Sequence, residues 1–286
     1  MYEAQCPGTC GELLQGWMMG SEKLISCPIN RFSRIRIEDG RQDSCLPPLI
    51  EQTIQLTLQH LGVDLAYRHT LNIHHSSDLP VAKGYASSTA DMSATVVALS
   101  RYFKHTIAPG KIAELTTRIE PSDGVMFKGL ALFEHTSGHL YQQYTLKSFP
   151  SILVLEPERT VLTRDFHNIS RKKQLITSQP SLNEALSLFE QGIKSSDINK
   201  IGHATTVSAQ AHQKISANPL FSQIEKCCEN NDLPGLCIAH SGSIIGLIYE
   251  EKKHNIDSVL SQLKKAGCLK YYNVHHKVKM ISGGIS

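Results

Sequence analysis

The sequence predicts an α+β protein in two halves that divide near residue 150. Three observations lead there. Strand-like alternation occupies the first 45 residues and returns as two hairpin patterns, Leu130 to Tyr144 and Gly235 to Glu251. Helical periodicity falls in blocks between those hairpins. The apolar run "SILVLEP" (Ser151 to Pro157) precedes a change of composition. The boundary is set between residues 148 and 149, giving segments 1–148 and 149–286.

Each element has its own signal. Lys23 to Cys27 and Arg34 to Ile37 alternate as short strands broken by turns. Pro47-Pro48 opens a helix that runs through Leu61 and stops at Gly62. His69 to His75 reads as a strand. Met92, Val96, Leu99 and Phe103 recur at helical spacing, on one face of a helix beginning around Ser87. A second helix runs from Pro109 to Ile119 and ends at Pro121. Leu130 to Tyr144 turns at Ser137-Gly138. In the second half, Ser181 to His212 is mostly helical, and Phe221, Ile224 and Cys228 mark another helix face. Two apolar strands follow, joined by His240-Ser241-Gly242-Ser243. A helix on Ile256, Val259, Leu260 and Leu263 and a strand near Lys277 to Ile281 complete the order.

Composition excludes several classes. Hydrophobic residues make up 41% and charged residues 19%, an ordinary globular balance. The formal charge of +3 is too small and scattered for a nucleic-acid partner. Its basic clusters (Arg171-Lys172-Lys173, Lys252-Lys253, Lys264-Lys265) read as solvated surface. No run is long and apolar enough to span a bilayer, and the first residues carry no secretory signal pattern. The eight cysteines form no CxxC pair, so reduced thiols in a cytoplasmic protein are expected, without a zinc site. Among 14 histidines there is no HExxH, and His135 and His139 look like loop residues.

Four segments carry chemical signals. "LPVAKGYASSTADMSA" (Leu79 to Ala94) sets a polar turn and Gly84 ahead of a helix that opens with Ser87, Ser88 and Thr89. First-turn amides lack internal partners and sit at the positive end of the helix dipole, so this layout suits an anion. A plain N-cap at Ser87 or Ser88 explains the same residues. Three consecutive hydroxyls exceed what a cap needs, and Lys83 adds charge beside the loop. Neither GxxxxGK[ST] nor GxGxxG occurs, so no P-loop or Rossmann site is expected. "CPGTCGELLQG" (Cys6 to Gly16) is punctuated by glycines, and "AHSGSIIG" (Ala239 to Gly246) is a small-residue loop between apolar strands. "RIEPSDGVMF" (Arg118 to Phe127) presents Glu120 and Asp123 after a helix, either as a turn or as one carboxylate for a metal and one for an attacking hydroxyl.

Together these segments resemble the motifs of the GHMP kinases, in order and spacing, over essentially the whole chain. Within that family "CPGTCGELLQGW", "GSEKLISCP", "PVAKGYASSTAD", "IEPSDGVMF" and "AHSGSIIGL" are most similar to the bacterial L-threonine kinases of cobalamin assembly. The resemblance implies a ribosomal-S5-like first half and a ferredoxin-like second half. It also implies ATP-dependent phosphorylation of the L-threonine hydroxyl, giving O-phospho-L-threonine for the aminopropanol linker. By position, Pro80, Val81, Ala82, Lys83, Gly84, Tyr85, Ala86, Ser87, Ser88 and Thr89 would form the ATP loop. Ser241, Gly242 and Ser243 would close over it from the second half. Ser88 and Glu120 would hold Mg²⁺, Asp123 would take or aim the acceptor proton, and Glu12 and Gln15 would face the amino acid. Thr89 stands where many members have alanine, and Gly-Glu-Leu replaces Gly-Glu-His; both changes recur in the threonine kinases. Glu120 lies closer to Asp123 than the usual magnesium glutamate, which keeps Glu114 in reserve. The alternatives are a homoserine kinase or other small-alcohol GHMP kinase, and a non-catalytic nucleotide-binding regulator.

Overall fold

The computed structural model describes residues 1–158, 172–240 and 242–286. Its first elements are longer than the alternation suggests. β1 (Tyr2–Met18) and β2 (Ser21–Asp39) form one antiparallel hairpin, turned at Met19-Gly20. Gly8 and Gly11, which read as turns, lie in a stretch of β1 where the register shifts three times between Pro7 and Leu14. Such bulges bend a strand without ending it, which is why glycines and a proline did not break this one.

The other elements follow the sequence closely. α1 (Pro48–Leu61) ends on Gly62 in the left-handed conformation. β3 (Leu71–Ser77) is followed by the loop to α2 (Ser87–Tyr102), then α3 (Pro109–Thr117). The hairpin of β4 (Leu130–Glu134) and β5 (His139–Tyr144) comes next, then β6 (Ser151–Glu156). Beyond it lie α4 (Lys172–Thr177), α5 (Gln179–Ser195), α6 (Ile198–Gln213) and α7 (Phe221–Asn230). β7 (Gly235–Ile238), β8 (Ile245–Tyr249), α8 (Ile256–Lys265), α9 (Cys268–Tyr271) and β9 (Val274–Lys279) finish the chain.

The strands join in the order β5-β4-β2-β1-β7-β8-β6-β9, with β3 also on β2. The sheet crosses from the first half to the second at one register pair, Glu12 with Ile238. A candidate site residue therefore sits on the seam. α2 packs on β1 and β2, while α5 and α6 pack on β1 from the second half. One apolar core runs through both halves, and a second lies within residues 153–272. After β9 the chain returns to the first half, where Ser286 and Gln5 exchange backbone hydrogen bonds.

Candidate active site

A cleft of about 690 Å³ opens where the residues before and in the first turn of α2 meet the Glu120–Asp123 turn and the middle of β1. It collects most of the residues singled out in the sequence: Val81, Ala82, Gly84, Tyr85, Ala86, Ser87, Ser88 and Thr89 from the loop and first turn of α2, Glu120 and Asp123 from the turn after α3, and Glu12 and Gln15 from β1. Neither Pro80 nor Lys83 lines it.

Helix α2 starts without a hydroxyl cap. Its N-cap is Ala86, held left-handed at φ 52°, and no side chain caps the first turn. The plain N-cap explanation of Ser87 and Ser88 therefore does not apply. Among the described residues, none of the hydrogen bonds found uses the amides of Ser87, Ser88 or Thr89. Three donors at the positive end of a 16-residue helix thus border the cleft.

The loop before the helix is built against the second half, and here one expectation is corrected. Lys83 does not charge the cleft. Its ammonium is buried, donates to the backbone carbonyls of Pro157 and Glu158, and lies 3.6 Å from Glu156. Tyr85 donates to the same Glu156 at 2.8 Å, so two loop side chains are tied to the end of β6. Gly84 lines the cleft and is also a point of close contact between loops. At φ +101°, a Cβ there would stand 2.1 Å from the Ala239 Cβ. Gly242 is equally close in return, since its Cβ would lie 2.5 Å from Gly84 Cα. Ser243 N–H donates to the Lys83 carbonyl at 2.9 Å. Gly242 and Ser243 do reach the loop from the second half, but they brace its backbone and do not line the cleft. Ser241 lies outside the described residues.

Asp123 is positioned from two elements. Ser26 of β2 donates its hydroxyl to Oδ1 at 2.8 Å, and the Asp123 amide donates to the Thr89 hydroxyl at 3.1 Å. Thr89 is buried and thereby links the first turn of α2 to the acidic turn. Burial, with Glu12 and Glu120 nearby, pushes the Asp123 carboxyl up to about 7, against the opposing hydrogen bond from Ser26. A carboxyl poised there can exchange a proton near neutral pH.

Glu12 is held by His240, whose N–H and Nδ1 both lie 2.9 Å from Oε2. Burial raises its carboxyl to about 8, with Cys237 and Glu22 adding to the rise and the His240 amide opposing it. Gln15 lines the cleft, with its amide donating to Glu22 at 3.2 Å. Glu120 also lines the cleft, and among the described residues no hydrogen bond or ion pair engages its carboxylate. Glu114 is elsewhere: it pairs with Lys111 and Arg118 on α3 and is absent from the lining. That removes it as a metal ligand for this cleft.

Sequence reasoning missed two residues. Ser26 lay inside a quoted segment with no role. His135, read as a loop residue, is buried at 3% exposure and lines the cleft. The register that pairs Leu24 with Phe133 and Ile25 with Leu132 brings the ends of β2 and β4 together, and no local motif encodes that.

Residues 48–128 match the family model for the GHMP kinases N terminal domain. Over nearly its whole length the chain is 35% identical to an L-threonine kinase of Salmonella typhimurium (strain LT2), covering 99% of this chain and 94% of that one. The chain belongs to the GHMP kinases. A second GHMP kinase relative, an L-threonine kinase of Citrobacter freundii, is 33% identical over 100% of this chain and 99% of its own. The fold agrees: the crystal structure of a homoserine kinase from Cytophaga hutchinsonii superposes with a TM-score of 0.73 at 14% identity, over 100% of this chain and 96% of that one. The GHMP kinase architecture expected from the motifs is thus the architecture found.

Proposed function

We propose that this GHMP kinase transfers the γ-phosphoryl group of ATP to the side-chain hydroxyl of L-threonine, giving O-phospho-L-threonine. The observation that carries the reading is one cleft lined by both the uncapped first turn of α2 and Asp123. The two relatives named L-threonine kinase, alike over almost the whole chain, support the choice of acceptor.

Phosphoryl transfer asks for positioning and charge neutralisation more than for covalent work by the protein. The amides of Ser87, Ser88 and Thr89 receive phosphate oxygens, and the loop from Val81 to Ala86 forms the wall beside them. Asp123 accepts a hydrogen bond from the acceptor hydroxyl and aims it at the phosphorus, while Ser26 and Thr89 keep it from turning away. Glu12 and Gln15 face the amino acid, and the Glu12 carboxyl can accept a hydrogen bond from its ammonium. Glu120 and Ser88 offer the oxygen donors that a magnesium ion takes, and their place on the cleft wall fits one. The ion, when bound with ATP, supplies charge neutralisation at the phosphates.

Segment 1–148 acts as the phosphate-loop domain and 149–286 as the domain that braces it. Phosphothreonine made this way would serve the aminopropanol linker of cobalamin. The cytoplasm suits the chain's eight free thiols. A panel of L-threonine, L-serine and L-homoserine, followed by ADP release and ³¹P NMR of the product, tests the reading. L-Threonine should give the highest kcat/KM. Preference for homoserine would transfer the assignment to that alcohol, and tight ATP binding without turnover would make the protein a regulator.

A further inference from the structure

An amino-acid acceptor carries an α-ammonium and an α-carboxylate, and the reading above gives a partner only to the first. The carboxylate enters a cleft bordered by Glu12, Glu120 and Asp123. Like charges at such range repel, so the carboxylate must be met by a donor held in place against them. Lys83, the basic residue of the loop, is committed to Glu156 and two carbonyls. Among the described residues that line the cleft there is no lysine or arginine, and one imidazole, that of His135.

Its position suits the task. His135 follows β4 directly, and its carbonyl accepts the Ser122 N–H at 2.9 Å. The backbone that carries this ring is therefore fixed to the residue next to Asp123. In threonine the hydroxyl and the α-carboxylate sit on adjacent carbons. Wherever Asp123 receives the hydroxyl, the carboxylate lies within a few ångström of it, in the same cleft that His135 lines. Glu12, on β1, offers the ammonium a hydrogen-bond acceptor.

Resting on the reading of the acceptor as an amino acid, we propose that His135 recognises its α-carboxylate through a ring N–H and so sets the preference for amino-acid alcohols. The test compares L-threonine with L-threonine amide, whose side chain and ammonium are unchanged and whose carboxylate is gone. Kinetics are read at saturating ATP and magnesium for the wild type, His135→Ala, His135→Gln and the bulk-preserving His135→Phe. Thermal melting and the KM for ATP report whether each variant is folded.

In His135→Ala the KM for L-threonine should rise about 10- to 100-fold, the usual worth of a hydrogen bond to a charged group. The KM for ATP should stay within about two-fold, and the preference for threonine over its amide should disappear. His135→Gln, which keeps an N–H donor, should regain part of that preference. Should His135→Ala fail to fold, the contrast between His135→Phe and His135→Gln decides in the same way. Turnover of threonine with an undiminished preference in His135→Ala or His135→Phe overturns the inference alone. Absence of threonine turnover in the wild type overturns the activity and the inference with it.

Discussion

Asp123 receives two hydrogen-bonding partners of different kinds, Ser26 on its carboxylate and Thr89 on its backbone. The first favours the ionised form, and burial with neighbouring carboxylates favours the neutral one; burial prevails, leaving the group near 7. Below that pH the carboxyl holds its proton and cannot accept another, so kcat/KM for the acceptor should fall as pH drops through about 7. Ser26→Ala removes the term that favours charge, so the same limb should move to higher pH. Asp123→Asn should lower kcat by roughly 10²- to 10⁴-fold with little change in the KM for ATP. pH–rate profiles of the three proteins check this, and an equal loss of nucleotide affinity in Asp123→Asn would contradict it. At this scale Asp123, Glu120 and Ser88 were legible because each lies within a short contiguous motif. Ser26 and His135 were not, because what brings them to the cleft is the pairing of strands more than a hundred residues apart in sequence.

The loop into α2 was legible as an anion site but not in its construction. At Gly84 and Gly242 two loops touch, which no local pattern of the sequence shows. The consequence for substitution changes with that. Gly84→Val adds a left-handed strain and a collision with Ala239, so it should cost the fold about 2–4 kcal/mol as well as weakening ATP binding. Gly110→Ala on α3, with nothing within 4 Å of the added methyl, should stay within about 1 kcal/mol of wild type. Denaturant melts of both, with ATP titrations, separate the two roles. A Gly84→Val protein of native stability that failed only to bind ATP would contradict the structural role of that contact. The helices and hairpins themselves were readable from periodicity and punctuation. β1 and β2 were cut short because bulges and turns share the same residues, glycine and proline.

Across the whole molecule, the cleft lies in the first half and touches the seam of the sheet at Glu12. Glu12 pairs with Ile238 in the strand register and holds His240 by its side chain. Lys83 and Tyr85 fasten the loop before α2 to β6. The cleft is lined from the first half and braced from the second, and the backbone of the final residues crosses back to Gln5. Sequence motifs marked both sides of the seam but not the ties between them, which join residues 71–75 and 228 positions apart. The central claim is that the amides opening α2 hold the phosphates of ATP opposite Asp123. A crystal structure with a non-hydrolysable ATP analogue, magnesium and L-threonine measures it directly. Phosphate oxygens within hydrogen-bond distance of the Ser87 and Ser88 amides, with the threonine hydroxyl on Asp123, are the predicted result. A triphosphate lodged away from the start of α2 would contradict it.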